Sequence, residues 1–226
     1  MKKAKLIVTV LMLGGLWGLL EATLGTVLHL DAFDSIVFAS TAVLLPIAYL
    51  IMGAAYKETG TARSIIYVGL VAAAIKSVCF FFVPAVNKVV NPMVAIMLES
   101  LLGAVAYKVT KPSKVVSLKS FATFMVFSTV TRVAYVGYSM ATAVPFKSAY
   151  LVEGKIIWSK IVEYVVTMNA ISFGYLAVYM LTGMALNALA KHEKASKVFA
   201  SIKKFAYTPA CASLMVCAAL VSTILL

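Results

Sequence analysis

Acidic residues are scarce in this chain. Eight Asp and Glu stand against twenty Lys and Arg in 226 residues, a formal charge of +12. Histidine occurs only at His29 and His192, and His192 lies in a polar stretch, which rules against a bis-histidine haem inside an apolar bundle. The three cysteines, Cys79, Cys211 and Cys217, all sit in apolar sequence and never as Cys-x-x-Cys. They read as small core residues rather than a disulfide framework or zinc site. No Gly-x-x-x-x-Gly-Lys-Ser/Thr loop is present, so the chain does not hydrolyse ATP itself. No His-Glu-x-x-His or Gly-x-Ser-x-Gly stands out. The last apolar run has no interior Lys, which leaves a retinal Schiff base unsupported. No cofactor is expected.

What the chain has is apolar sequence. Hydrophobic residues make up 63% and charged residues only 12%. A soluble domain has roughly 45–50% and about 25%. The apolar runs are long and unbroken, so a helical bundle is expected rather than a transmembrane barrel. The positive charge does not point to nucleic acid, because the Lys and Arg sit in short segments between apolar runs.

The expected fold is all-α, a polytopic transmembrane helical bundle forming one integral membrane domain over residues 1–226. Seven spans are predicted: Leu6–Leu28, Ile36–Tyr56, Ser64–Val83, Pro92–Tyr107, Ser120–Ala143, Ile161–Leu186 and Phe205–Leu226. The first is read as a retained helix that doubles as the targeting signal. Residues 144–160 read as an interfacial loop or short surface helix, with Tyr150 and Trp158 suited to the headgroup layer. With the N-terminus cytoplasmic, inner segments hold fourteen Lys and Arg and outer loops four. That bias sets the orientation in the cell membrane.

Two acids interrupt the apolar runs. Leu20-Glu21-Ala22-Thr23-Leu24-Gly25 is echoed by Leu98-Glu99-Ser100-Leu101-Leu102-Gly103. Residues 20–29 and 98–107 match at five of ten positions. An offset of three spans would make residues 5–90 and 91–187 inverted repeats, with 205–226 as an additional C-terminal span. A charge at the bilayer centre costs about 2.5–3.5 kcal/mol on insertion scales, so it usually has a partner or a role. Glu21 lies ten residues before Asp31, and Glu99 nine before Lys108. At about 1.5 Å per residue both fall near mid-membrane. Lys76 and Arg132 fall at similar depth in the third and fifth spans.

Two readings of these four groups stand open: internal ion pairs that hold the helices, or a polar cavity for a small ligand. In the cavity reading, Arg132 or Lys76 takes a carboxylate or phosphate, and Glu21 or Glu99 a cationic or amide group. Trp17, Tyr135 and Asn169 are the expected wall residues. His29, Asp31 and Asp34 are candidates for a divalent cation at the outer lip. Gly14, Gly18 and Ala22 recur every four residues, a row that permits close helix approach within the chain or against a partner.

The size, the lack of an ATPase motif and the row Gly14, Gly18, Ala22 resemble the S components of energy-coupling factor transporters. The resemblance covers about Lys5 to Leu186 at the level of architecture. That family docks through Ala-x-x-x-Ala and has six spans, so the glycines and the seventh span depart from its pattern. The resemblance implies capture of a vitamin or metal ion from the outer side, with a transmembrane coupling subunit and ATPases as partners. The leading expectation is a substrate-binding subunit or small secondary transporter for a polar small molecule. The alternatives are a membrane-embedded enzyme acting on a lipid or quinone, with Glu21 or Glu99 as general base, and a structural accessory subunit.

Overall fold

The computed structural model describes residues 2–28, 39–82, 84, 86–112, 117–146, 148–189 and 193–225. The described chain is almost wholly helical. The helices are α1 (Lys2–Val27), α2 (Ser40–Thr59), α3 (Arg63–Ser77, prolonged by a tighter turn Val78–Phe81), α4 (Asn87–Thr110) and α5 (Leu118–Ala141). A short helix α6 (Ala143–Phe146) leads to a small antiparallel hairpin of β1 (Leu151–Val152) and β2 (Lys155–Ile156). Then come α7 (Trp158–Val162), a widened π-turn (Glu163–Thr167), α8 (Met168–Leu189), α9 (Glu193–Ala206) and α10 (Pro209–Leu225).

Among the described residues, five stretches are long and apolar enough to cross a membrane: Lys3–Gly25, Ser40–Thr59, Arg63–Phe81, Asn87–Thr110 and Trp158–Leu186. Counting α9 and α10 as one bent span makes six. Seven spans were expected, and five or six stretches meet that standard of length and apolarity. The helix α5 forms where the fifth span was expected, but its Ser, Thr, Tyr and Arg residues leave it outside that group. The helix α10 forms in place of the seventh, shorter by its first turn, because the chain turns at Thr208. It has 17 residues and is bent by 72° from α9. The predicted loop before it is largely helical. Similarly, α4 begins at Asn87 and carries Pro92 inside, where a start at Pro92 was expected. Tyr150 is buried at 8% exposure rather than in a headgroup layer, whereas Trp158 is exposed.

Helix α2 is the centre of the bundle, in contact with α1, α3, α4, α5 and α8. Eleven of its residues are buried, so it has no broad solvent or lipid face. Gly60, at φ 70°, ends it by donating its N–H to the Tyr56 carbonyl, a left-handed cap that glycine adopts without steric cost. Around α2, α1 packs on α3, α3 on α4, α4 on α5, and α5 on α8. Outside this ring, α10 lies along α1.

Small residues set the close approaches. A Cβ at Gly14 would lie 2.6 Å from Val71 Cβ, and one at Gly18 2.8 Å from Ile75 Cδ1, both on α3. On the neighbouring face, a Cβ at Gly15 would lie 3.0 Å from the Val216 backbone of α10. Ala22 is also buried. The row Gly14–Gly18–Ala22 therefore serves packing within the chain. Of the two alternatives, packing within the chain or docking a partner, these contacts with α3 favour the first.

The two ends of the bundle differ. At one end Glu58 binds both Lys5 Nζ (3.2 Å) and Lys203 Nζ (2.7 Å). That end also holds Lys57, Arg63, Lys108, Lys111 and Lys119, at the termini of α2 to α5. The half nearer to it is closed by aromatic rings. Tyr49 stacks on Tyr107, Phe124 and Phe127 at 5.1–5.6 Å between centroids. The Tyr49 hydroxyl donates to the Ser120 carbonyl (2.8 Å), and that of Tyr107 to the Tyr49 carbonyl (3.3 Å). These bonds satisfy the polar tips of two fully buried rings.

Candidate functional site

The half of the bundle away from the basic end is hollow. A cavity of about 630 Å³ lies between α1, α2, α3, α4, α5 and the start of the α7–α8 rod. Its charged lining is Glu21 on α1, Lys76 on α3, and Lys88 and Glu99 on α4. From Lys88 at the mouth to Glu99 inside is eleven residues of helix, or about 16 Å. Asn87, Asn91, Ser40, Thr41, Tyr135 and Tyr164 supply neutral polar groups. Small-molecule sites occupy roughly 300–1,000 Å³, with a few convergent polar groups.

Two acids lie between two bases, with Glu21 and Glu99 as like-charged neighbours. Lys76 is in Coulombic range of Glu21, Glu21 of Glu99, and Glu99 of Arg132. Yet none of the nitrogens of Lys76 or Arg132 comes within 4.0 Å of a Glu21 or Glu99 oxygen, since no such ion pair occurs among the described residues. Glu21 accepts one hydrogen bond, from Trp17 Nε1 at 3.3 Å. Trp17 is one turn away on the same helix and buried at 1% exposure, so it orients the carboxylate from behind rather than lining the cavity.

Arg132 sits behind the wall. It is 1% exposed and tied by neutral acceptors. Its Nε donates to Asn169 Oδ1 (3.1 Å), and its Nη2 donates to Ser172 Oγ (2.7 Å), the Thr41 carbonyl (3.2 Å) and the Met168 carbonyl (3.4 Å). Its guanidinium carbon lies 5.0 Å from the Tyr164 ring centroid, a cation–π contact. Its Nη1 has no hydrogen-bond acceptor.

One of these acceptors, Ser172, is anchored at a gap left by a proline. Pro46 in α2 has no N–H, so the carbonyl four residues earlier, at Ala42, loses its helical donor. The Ser172 hydroxyl donates to that carbonyl at 3.0 Å. The arginine, the serine and the proline gap thus join α5, α8 and α2.

A row of tyrosines runs from Arg132 toward the hairpin. Tyr138, Tyr135, Tyr164 and Tyr150 stack in succession at 5.6–5.9 Å. Tyr138 donates to Asn91 Oδ1 at 3.2 Å, linking the row to the mouth of the cavity. Burial, and then the neighbouring Tyr135, push the Tyr150 phenol above its ordinary value, so it is neutral at pH 7.

Of the expected site residues, Glu21, Lys76, Glu99 and Tyr135 line this one cavity. Trp17, Arg132 and Asn169 form its support. His29, Asp31 and Asp34 lie outside the described residues. Among the described residues no three of His, Cys, Asp and Glu come together as metal ligands. Lys88, Asn91, Tyr164 and Ser172 were not anticipated. The available signal was Pro46 and Pro92, since a proline inside an apolar helix announces a free carbonyl and a polar neighbour. Comparison with protein-family models, with curated proteins and with solved structures finds no match in any of the three.

Proposed function

We propose that the chain is a multi-pass protein of the cell membrane that binds a polar small molecule in this cavity, as a substrate-binding subunit or small secondary transporter. One observation carries the reading. Glu21, Lys76 and Glu99 line a single cavity in the middle of apolar helices without forming an ion pair. Buried charges that serve only to hold helices together are paired and fully hydrogen-bonded. Charges left facing a cavity are available to a ligand.

The chemistry of the lining refines the ligand. Arg132 is engaged by neutral acceptors, so an anionic group falls to Lys76 and Lys88, and a cationic or amide group to Glu21 and Glu99. A molecule bearing both fits. With the basic end cytoplasmic, the cavity faces outward and the Tyr49–Tyr107–Phe124–Phe127 cluster closes the way in. The proposal takes seven crossings, counting α5 and α10, with α4, α5 and α8 as the inverted counterpart of α1, α2 and α3. Glu21 and Glu99, the matched acids of the two halves, then meet in one site. An S-component role is supported by size, the outward cavity and the lack of an ATPase motif, but no longer by the glycine row.

The test is a thermal-shift screen of the purified chain in nanodiscs, with amino acids, vitamins and divalent metal ions as probes. A compound carrying groups of both kinds should raise Tm saturably. Glu99→Gln and Lys76→Met should abolish that shift while leaving the ligand-free Tm nearly unchanged. If no compound shifts Tm and both substitutions lower it, the charges only hold the fold and the proposal fails.

A further inference from the structure

The helix α9 belongs to neither the core nor the cavity. Its residues Val198, Ile202 and Phe205 recur at the spacing of one helical face, and they are 57%, 57% and 62% exposed. Lys197 and Lys204 lie on the other side of the helix. Lys203, on its flank, reaches Glu58 at the end of α2. Over Lys197–Phe205 the lysines and the large apolar residues fall on different sides of α9, unlike the uniformly apolar α10 that follows.

Its attitude is set at one corner. Thr208 caps α10 by accepting the Cys211 N–H at 3.2 Å, and α9 turns away from α10 by 72°. Because α10 lies along α1, α9 runs nearly across the bundle axis, at the end where Lys5, Glu58 and Lys203 meet.

We propose that α9 is an interfacial helix that binds the anionic lipid surface at the basic end of the bundle. Its Val198–Ile202–Phe205 face enters the acyl boundary, and Lys197 and Lys204 take lipid phosphates. The inference rests on the reading of the chain as membrane-spanning. Three features select a lipid surface as the occupant. The helix stands at 72° to α10, which packs along the apolar α1. Lys194, Lys197, Lys203 and Lys204 give it a positive charge against a single acid, Glu193, which complements an anionic leaflet. The Lys203–Glu58 pair holds it at the level where α2 ends, and hence where a bilayer surface falls.

Depth-dependent quenching on the full chain tests this. Cys79, Cys211 and Cys217 are replaced by Ala, and a single fluorophore-labelled cysteine is placed at Ile202, Ala200 or Val105. Val198 is the alternative position should the Ile202 variant fold poorly. Val105 lies on α4 and is 59% exposed on its outer face. Each protein is reconstituted in vesicles of equal parts phosphatidylcholine and phosphatidylglycerol with brominated acyl chains, and again in phosphatidylcholine alone. The expected result is strong quenching by lipid at Ile202 and Val105. Ala200, on the polar side, should be quenched several-fold less by lipid and readily by aqueous iodide. Removing phosphatidylglycerol should weaken quenching at Ile202 several-fold and leave Val105 unchanged. Quenching at Val105 but not at Ile202 overturns the proposal alone. Shielding of Ile202 from both quenchers also overturns it and assigns the face to a second copy or another protein. No lipid quenching at either position overturns the membrane reading with it.

Discussion

The Ser172 hydroxyl donates to the Ala42 carbonyl, 3.0 Å away, at the point where Pro46 has removed that carbonyl's own helical partner. The same hydroxyl oxygen accepts from Arg132 Nη2 at 2.7 Å. One side chain therefore repairs a gap in α2 and holds a buried cation on α5. Ser172→Ala should lower stability by about 1–3 kcal/mol, the range for leaving a buried polar group unsatisfied. Pro46→Ala restores a donor to Ala42. The double variant should lose less than the sum of the two single changes, a coupling that a double-mutant cycle on Tm reads directly.

Arg132 is expected to act as a support rather than a ligand contact. A lysine there cannot reproduce donation from two separate nitrogens to Asn169 and Ser172, nor the planar stacking on Tyr164. Arg132→Lys should lower Tm clearly. Once the protein is folded below that Tm, affinity for a ligand should fall much less than in Glu99→Gln. Equal losses of affinity, measured by titration, would show that Arg132 touches the ligand.

Trp17→Phe removes the single hydrogen bond that orients Glu21 and keeps most of the buried ring. A hydrogen bond to a charged group contributes about 1.5–3 kcal/mol. Binding should weaken by roughly ten-fold or more, at about 1.4 kcal/mol per factor of ten. The measurement is a binding titration made below the Tm of the variant, which should itself fall because Trp17 is fully buried and the smaller ring leaves a cavity.

The α1–α3 contact should tolerate no added bulk. Gly14→Val would drive new atoms into Val71 of α3, with overpacking costs of typically 1–3 kcal/mol. Gly137, which meets nothing within 4 Å, should accept alanine without loss. Thermal denaturation of the two variants gives the comparison. A Gly14→Val chain as stable as the parent would return the row to the role of an external docking face.

Much of this architecture was legible in the residues, for specific reasons. Long apolar runs require helices whatever they pack against, because a backbone without water must bond to itself. Helices α1 to α5 and α8 accordingly fall where the runs do. Glu21, Lys76 and Glu99 were recognisable because a charge in an apolar run is rare and costly. The position of α9 was not legible, since its Lys-rich composition resembles a loop and its amphipathic spacing is short. The boundary of α4 was hidden because a proline in the first turns of a helix reads equally well as its start.

By itself, the sequence determined that the chain forms helices apolar enough to cross a membrane and which charged groups lie part-way along them, since hydropathy and a rise of about 1.5 Å per residue are local properties. Only the tertiary structure decided how those charges were used. Whether Arg132 would meet a carboxylate or neutral acceptors depended on Pro46, Asn169 and Ser172, on other helices and up to 91 residues away from it along the chain at Thr41. Whether Gly14 and Gly18 faced outward depended on where α3 and α10 came to rest. Contact between distant segments follows from packing the whole bundle, and no spacing within one helix carries it.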